Sequence, residues 1–299
     1  MNTAIRIEGI EKSFNKQKVL KDLNMIIPQK SVFFLLGLNG AGKTTLMKII
    51  LGLLYPDAGN IDFGTYNEEF GFLIETPNFY EHLTAYQNLK HHALLLGCEE
   101  SEIKRVLEIV KLNPNNKKKV STYSLGMKQR LGLARALMGD HDYIMLDEPL
   151  NGLDPAGMDE FKDIIKELNT TYGKTIILSS HLIKETENLA TDYAIIHKGE
   201  TFTQFSQKEL LENCKKLYIH CNENESEIVS LLNATTGVTY AKKGNEINVY
   251  AKQETSELDA LLEKIKENGY NCDVSMKQGN LEELFLAITK GGMASVSYN

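Results

Sequence analysis

Gly37-Leu38-Asn39-Gly40-Ala41-Gly42-Lys43-Thr44 comes directly after the apolar run Val32-Phe33-Phe34-Leu35-Leu36. The octet fits G-x-x-x-x-G-K-[ST], a pattern that carries meaning only between a strand and a helix. That context is present. Five consecutive apolar residues read as a strand covered on both faces. After the loop, Leu46, Ile49, Ile50, Leu53 and Leu54 recur at helical spacing and predict a helix over Thr44 to Leu54. Glycines let backbone N–H groups approach phosphates, and the helix after them aims the positive end of its dipole at the same place. Lys43 is then placed to neutralise β- and γ-phosphates and the Thr44 hydroxyl to hold Mg²⁺. The alternative is a plain glycine turn, but with Gly at about 7% of residues a chance match to the octet in a chain this long is on the order of one in a hundred.

A second half-site lies downstream in Tyr143-Ile144-Met145-Leu146-Asp147-Glu148-Pro149, an apolar strand ending in two carboxylates. Asp147 is placed to hold Mg²⁺, and Glu148 to polarise an attacking water as general base. Alone, the pair reads equally as an acidic turn before proline. Between the two motifs the pattern predicts helices over Leu89 to Leu96, Ser101 to Val110 and Leu125 to Met138. Downstream come a helix near Met158 to Leu168 and a strand over Thr175 to Leu178. The first part is therefore an α/β core with a helical insertion at about 78–138.

Beyond a short polar helix at Gln207 to Cys214, the order becomes strand, helix, strand, strand, helix, strand and a last helix. This predicts a small ferredoxin-like α+β domain. The expected division is 1–213 and 214–299, in keeping with about 150 residues per domain for a chain of 299 residues. Lys117-Lys118-Lys119 reads as a solvated loop.

The net charge of −7 argues against nucleic acid as the main partner. No apolar run approaches the ~18 residues needed to span a bilayer, and Met1 to Phe14 shows no signal peptide, so a cytoplasmic chain is expected. Cys98, Cys214, Cys221 and Cys272 form no C-x-x-C pair and read as free thiols in a reducing compartment.

Over residues 1 to about 213 the chain resembles the ATP-binding subunits of ABC transporters, a family with the P-loop NTPase fold. The signature expected between the two nucleotide motifs is matched by Tyr123-Ser124-Leu125-Gly126-Met127-Lys128-Gln129-Arg130. The family's usual L-S-G-G-Q is kept at Ser124 and Gly126, while Leu125 and Met127 depart from it. On residue type alone Ser124 is a good helix N-cap. The resemblance implies that Ser124 and Gly126 bind the γ-phosphate held by an opposite subunit. It also implies that Asp154, after Leu153, lies in the loop linking two ATP sites, that His181 is the switch histidine, and that Phe14 stacks on adenine. Gly37, Asn39, Gly40, Ala41, Gly42, Lys43, Thr44 and Thr45 would complete the ATP cradle.

One position departs from the family. Glu75 in Gly71-Phe72-Leu73-Ile74-Glu75-Thr76-Pro77 stands where the family's usual Gln touches the metal site and the permease, so the resemblance implies Glu75 as a Mg²⁺-site residue with Thr44 and Asp147, and Gln87 belongs to the next stretch. With Ser-Leu-Gly-Met in the signature, Glu75 resembles the exporters of bacitracin resistance and lantibiotic immunity. The tail Leu281-Glu282-Glu283-Leu284-Phe285 resembles the accessory domain of longer members. The resemblance thus implies an ATPase subunit that works as a homodimer around two ATP molecules with Mg²⁺. Such a subunit drives a separate membrane permease from the cytoplasmic side. The competing expectation is a soluble ABC ATPase that switches a non-transport partner.

Overall fold

The computed structural model describes residues 3–64, 69–74, 78–186, 189–251 and 256–290. The chain divides into two compact units, Met1–Tyr193 with Lys198–Glu200, and Ala194–His197 with Thr201–Asn299. It opens with a hairpin of β1 (Thr3–Phe14) and β2 (Gln17–Pro28). After β3 (Val32–Leu36) and α1 (Lys43–Ile50) comes β4 (Ala58–Asp62), which pairs with the free side of β1, so this antiparallel sheet runs β2-β1-β4.

The helical insertion comes after β5 (Phe70–Leu73) and comprises α2 (Ala85–Leu96), α3 (Glu100–Ile109) and α4 (Leu125–Ala136). The rest of the nucleotide-motif region is β6 (Tyr143–Leu146), α5 (Pro155–Thr170), β7 (Thr175–Ser180), the short α6 (Ile183–Thr186), β8 (Asp192–His197) and β9 (Glu200–Ser206). The main sheet runs β5-β6-β7-β3-β8-β9, and its β5-β6, β6-β7 and β7-β3 pairs are parallel. Every residue of β3, β6 and β7 is buried, which is why β3, β6 and the middle of β7 are apolar without alternation. Their register sets Leu36 beside Ser180 and Leu146 beside Leu178. The loops after β3, β6 and β7 therefore leave the sheet at one carboxyl edge, where α/β sheets bind ligands.

Two local features shape this edge. The α1 helix is shorter than its apolar spacing predicts: the chain leaves it at Leu51, Gly52 takes φ 67°, and Leu53 is exposed. At Gly71 in β5, a Cβ atom would lie 1.8 Å from the Ala136 carbonyl oxygen at the end of α4. Only glycine lets the insertion's helix approach the strand this closely.

The C-terminal unit continues with α7 (Gln207–Asn213), β10 (Lys215–Cys221), α8 (Glu225–Ala234), β11 (Val238–Lys243), β12 (Glu246–Ala251), α9 (Ser256–Glu267), β13 (Cys272–Gln278) and α10 (Leu281–Lys290). Its four-stranded antiparallel sheet runs β11-β12-β10-β13. Leu217, Ile219, Ile247 and Val249 of the sheet pack with Ile228 and Leu232 of α8 and Leu258, Leu261 and Ile265 of α9. Residues of opposite parity meet α10: Glu283 accepts from Lys216 Nζ at 2.8 Å and Tyr250 Oη at 3.0 Å, and Thr239 donates to the Ala287 carbonyl.

Candidate functional site

Lys43 opens α1, and the preceding Gly42 holds φ 107° as the helix N-cap. A Cβ at Gly42 would meet Leu20 Cδ2 at 2.5 Å, so both dihedral and space ask for glycine. Asn39 and Gly40 are exposed at the turn of the loop, whereas Gly37, Ala41 and Gly42 are buried. The Lys43 side chain is only 6% exposed and donates to the Gly37 carbonyl at 2.8 Å and the Leu38 carbonyl at 3.3 Å. Its Nζ also lies 3.2 Å from Glu148 Oε1. That oxygen is buried and makes no aligned hydrogen bond. A buried amine paired in this way costs about 3–5 kcal/mol if one partner is removed.

Thr44 donates its hydroxyl to Asp147 Oδ2 at 2.7 Å, joining the first turn of α1 to the end of β6. Thr45 is half-buried one residue on. The other Asp147 oxygen accepts a short hydrogen bond from the Ser179 hydroxyl. That same Ser179 oxygen accepts from the Glu148 N–H at 2.8 Å. Ser179 thus ties the carboxylate of Asp147 to the backbone of Glu148. Glu148 holds φ 48°, a left-handed conformation that costs a non-glycine residue of order 1 kcal/mol and persists where surroundings enforce it. The last member is His181, just beyond β7, with Nδ1 2.8 Å from Glu148 Oε2.

The structure therefore brings Lys43, Thr44, Asp147, Glu148 and His181 into one connected group and adds Ser179, which belongs to none of the sequence motifs. Its one signal in the sequence is that Ser179 and Ser180 are hydroxyls closing an otherwise apolar strand beside His181. The donor set of this group, a threonine hydroxyl and a carboxylate already 2.7 Å apart with a lysine at hand, fits Mg²⁺ and a polyphosphate.

The other expected residues occupy separate elements. Phe14 is 45% exposed, with Lys12 Nζ 5.7 Å from its ring centroid. Its loop is fastened by Asp57, which accepts from Lys12 Nζ at 2.8 Å and the Ser13 N–H at 2.6 Å. The lysine bond, and after it the Ser13 N–H, holds the Asp57 carboxyl below its usual range. Ser124 caps α4 and accepts from the Met127 N–H at 3.2 Å. A Cβ at Gly126 would find only ordinary contacts, the nearest to Leu153 at 3.8 Å. Asp154 is exposed at the N-cap of α5, without a side-chain cap bond and with Pro155 behind it. Among the described residues, no hydrogen bond or ion pair joins Ser124 or Asp154 to the Lys43–Glu148–His181 group. Glu75 lies outside the described residues. Gln87 completes a capping box with Thr84 at the start of α2, so its amide is engaged there.

A family model described as "ABC transporter" matches residues 20–151. The chain is 34% identical to the bacitracin transport ATP-binding protein BcrA of Enterococcus faecalis, over 98% of each chain. It is 39% identical to the lantibiotic transport ATP-binding protein SrtF of Streptococcus pyogenes, over 72% of this chain and 95% of that one. Among solved structures, an ATP-binding subunit of an ABC transporter superposes with a TM-score of 0.61 at 27% identity, covering 70% of this chain and 92% of the other.

Proposed function

Because the chain belongs to the ATP-binding subunits of ABC transporters, we propose that it hydrolyses ATP to drive a separate membrane permease that exports or clears a peptide antibiotic of the bacitracin or lantibiotic type. The observation that carries the catalytic part is the continuous chain Lys43–Glu148–His181 beside the Thr44–Asp147 pair. The substrate class rests on relatives named for bacitracin and lantibiotic transport that match this chain along most of its length. That likeness favours transport over a switch acting on a non-transport partner.

In this reading Lys43 exchanges its bonds to the Gly37 and Leu38 carbonyls for phosphate oxygens, and Gly40 to Thr45 supply backbone donors. Thr44 and Asp147 hold Mg²⁺, which when bound offsets charge on the phosphates. Once Lys43 turns to phosphate, Glu148 Oε1 is left as a free acceptor for a proton from the attacking water. His181 fixes the other oxygen of that carboxylate, so the free one is oriented. Phe14 offers an exposed ring to adenine. Ser124, Gly126 and Asp154 serve the ATP held by a second copy of the chain, and two copies close on two ATP molecules. Glu75, at the position of the family's Gln, serves at the Mg²⁺ site or in the signal toward the permease. Among the described residues no helix is long and apolar enough to cross a membrane, and membrane association runs through the permease.

The test is to express the protein with its permease in antibiotic-sensitive cells, then measure ATPase of the purified pair and survival on bacitracin and on a lantibiotic. Wild type should protect and hydrolyse ATP, and Lys43→Ala should do neither. ATPase without protection against either peptide would overturn the substrate class. Protection retained by Lys43→Ala would overturn the ATP-driven mechanism.

A further inference from the structure

Cys221 and Cys272, distant in sequence, stand directly opposite each other at the ends of β10 and β13. The backbone bonding around them fixes what kind of pair they form. The Asn222 N–H donates to the Asn271 carbonyl at 3.2 Å, one step beyond the pair. The Cys221 N–H turns the other way, to the Asn245 carbonyl at 2.8 Å, and the Cys272 N–H bonds to the Tyr270 carbonyl at 2.9 Å. Cys221 and Cys272 therefore occupy a non-hydrogen-bonded site of the antiparallel ladder, where opposed Cα atoms approach to about 4.5 Å. That spacing falls within the ~4.4–6.8 Å span that a disulfide bridges. Both side chains belong to one cluster on the helix-covered face, Cys221 4% exposed and Cys272 half-buried at its rim.

We propose that Cys221 and Cys272 form a thiol–disulfide exchange site that reacts with small-molecule disulfides and closes into a cross-strand bond. The half-buried Cys272 is the entry point. Its thiolate attacks one sulfur of a low-molecular-weight disulfide, forms a mixed disulfide and releases one small thiol, which takes up the proton Cys272 gave to solvent. The Cys221 thiolate then attacks the Cys272 sulfur, the Cys221–Cys272 bond forms, and the second small thiol leaves with the second proton. Two electrons pass from the protein dithiol to the small disulfide, so one disulfide is consumed and two small thiols are produced. Burial holds both protein thiols above the usual range, with the neighbouring Cys272 adding to the effect on Cys221. The exchange is accordingly slow at neutral pH and tracks sustained oxidation rather than brief pulses. The product links the central strand β10 to the edge strand β13 and closes a loop containing α8, β11, β12 and α9. Such a long loop restricts the unfolded chain and stabilises the C-terminal unit.

The full-length protein is incubated in mixtures of oxidised and reduced glutathione, quenched in acid, alkylated and analysed by intact mass and peptide mapping. Oxidation should remove two of the four alkylatable thiols and yield one cross-linked peptide pair, Cys221 with Cys272, with Cys98 and Cys214 still alkylated. Cys221→Ala should instead trap a glutathione adduct on Cys272. A second measurement needs no variant: melting of the oxidised wild type should move up by several degrees, and dithiothreitol should reverse it. Four alkylatable thiols at every glutathione ratio would overturn the proposal. So would a bond involving Cys98 or Cys214, or a bond between chains.

Discussion

His181 Nδ1 lies 2.8 Å from Glu148 Oε2 while the second Glu148 oxygen, 3.2 Å from Lys43 Nζ, has no aligned hydrogen-bond donor. One carboxylate thus has an anchored oxygen and an oxygen in reserve. This asymmetry suits a base, because the proton-accepting atom is oriented before water arrives.

Glu148→Gln keeps the shape and one hydrogen-bonding oxygen but removes the charge. ATP hydrolysis should fall by about 10² to 10⁴, the usual contribution of a positioned base, with ATP binding retained. Steady-state turnover beside equilibrium nucleotide binding checks this. Turnover within threefold of wild type would remove Glu148 from the role.

Ser179→Ala deletes the acceptor for the Glu148 N–H and the donor to Asp147 in one step. The residue is fully buried, and an unsatisfied buried N–H costs about 1–3 kcal/mol. With Glu148 released from its left-handed backbone, turnover should drop about tenfold or more, a barrier rise near ~1.4 kcal/mol, while the KM for ATP changes little. Equal changes in both parameters would indicate a general structural role instead.

Gly71→Ala tests the closeness of β5 to α4. Its Cβ would meet backbone atoms of Ala136 at 1.8 and 2.8 Å, so strand or helix must move. Overpacking of this kind costs about 1–3 kcal/mol. Thermal unfolding should begin several degrees earlier, and an unchanged melting curve would show that the insertion shifts freely.

Cys214 offers a test through pH. Burial, and then the nearby Glu283, push its thiol up to about 11. The fold therefore favours the neutral thiol, and the stability this gives is complete below the ordinary thiol range and lost as pH rises toward about 11. Alkylation of Cys214 at pH ~8 should lag far behind that of half-buried Cys98 and accelerate only at higher pH. Equal rates at that pH would contradict the buried position.

The sequence was most readable where chemistry requires fixed spacing. The octet ending at Thr44 and the pair Asp147-Glu148 could be read because loop, helix start and strand end leave little freedom, and the fold sets the Thr44 hydroxyl 2.7 Å from Asp147 Oδ2. Strand β2 was harder to see. Asp22 holds φ 47° and the pairing slips between Ile10 and Lys12, so Leu20 and Leu23 are both buried at a spacing that breaks alternation. Ser179 carried no motif of its own, because its importance lies in contacts across two strands. The opposition of Cys221 and Cys272 is a matter of sheet register, which no local pattern encodes. In the C-terminal unit the element order was legible from alternation and helical spacing, since each strand there has one apolar face.

In the proposed arrangement a second copy of the chain completes the ATP site, and mixing two inactive variants puts that sharing to the test. Lys43→Ala removes the phosphate-binding amine, and Ser124→Arg blocks the signature surface at a cost of about 1 kcal/mol for the lost N-cap. Each purified variant alone should lack ATPase, with Ser124→Arg still binding ATP. Mixed in equal amounts, they should regain ATPase, because a mixed dimer has one site built from two intact halves. A mixture as inactive as its folded parents, or loss of ATP binding by Ser124→Arg alone, would contradict the shared site.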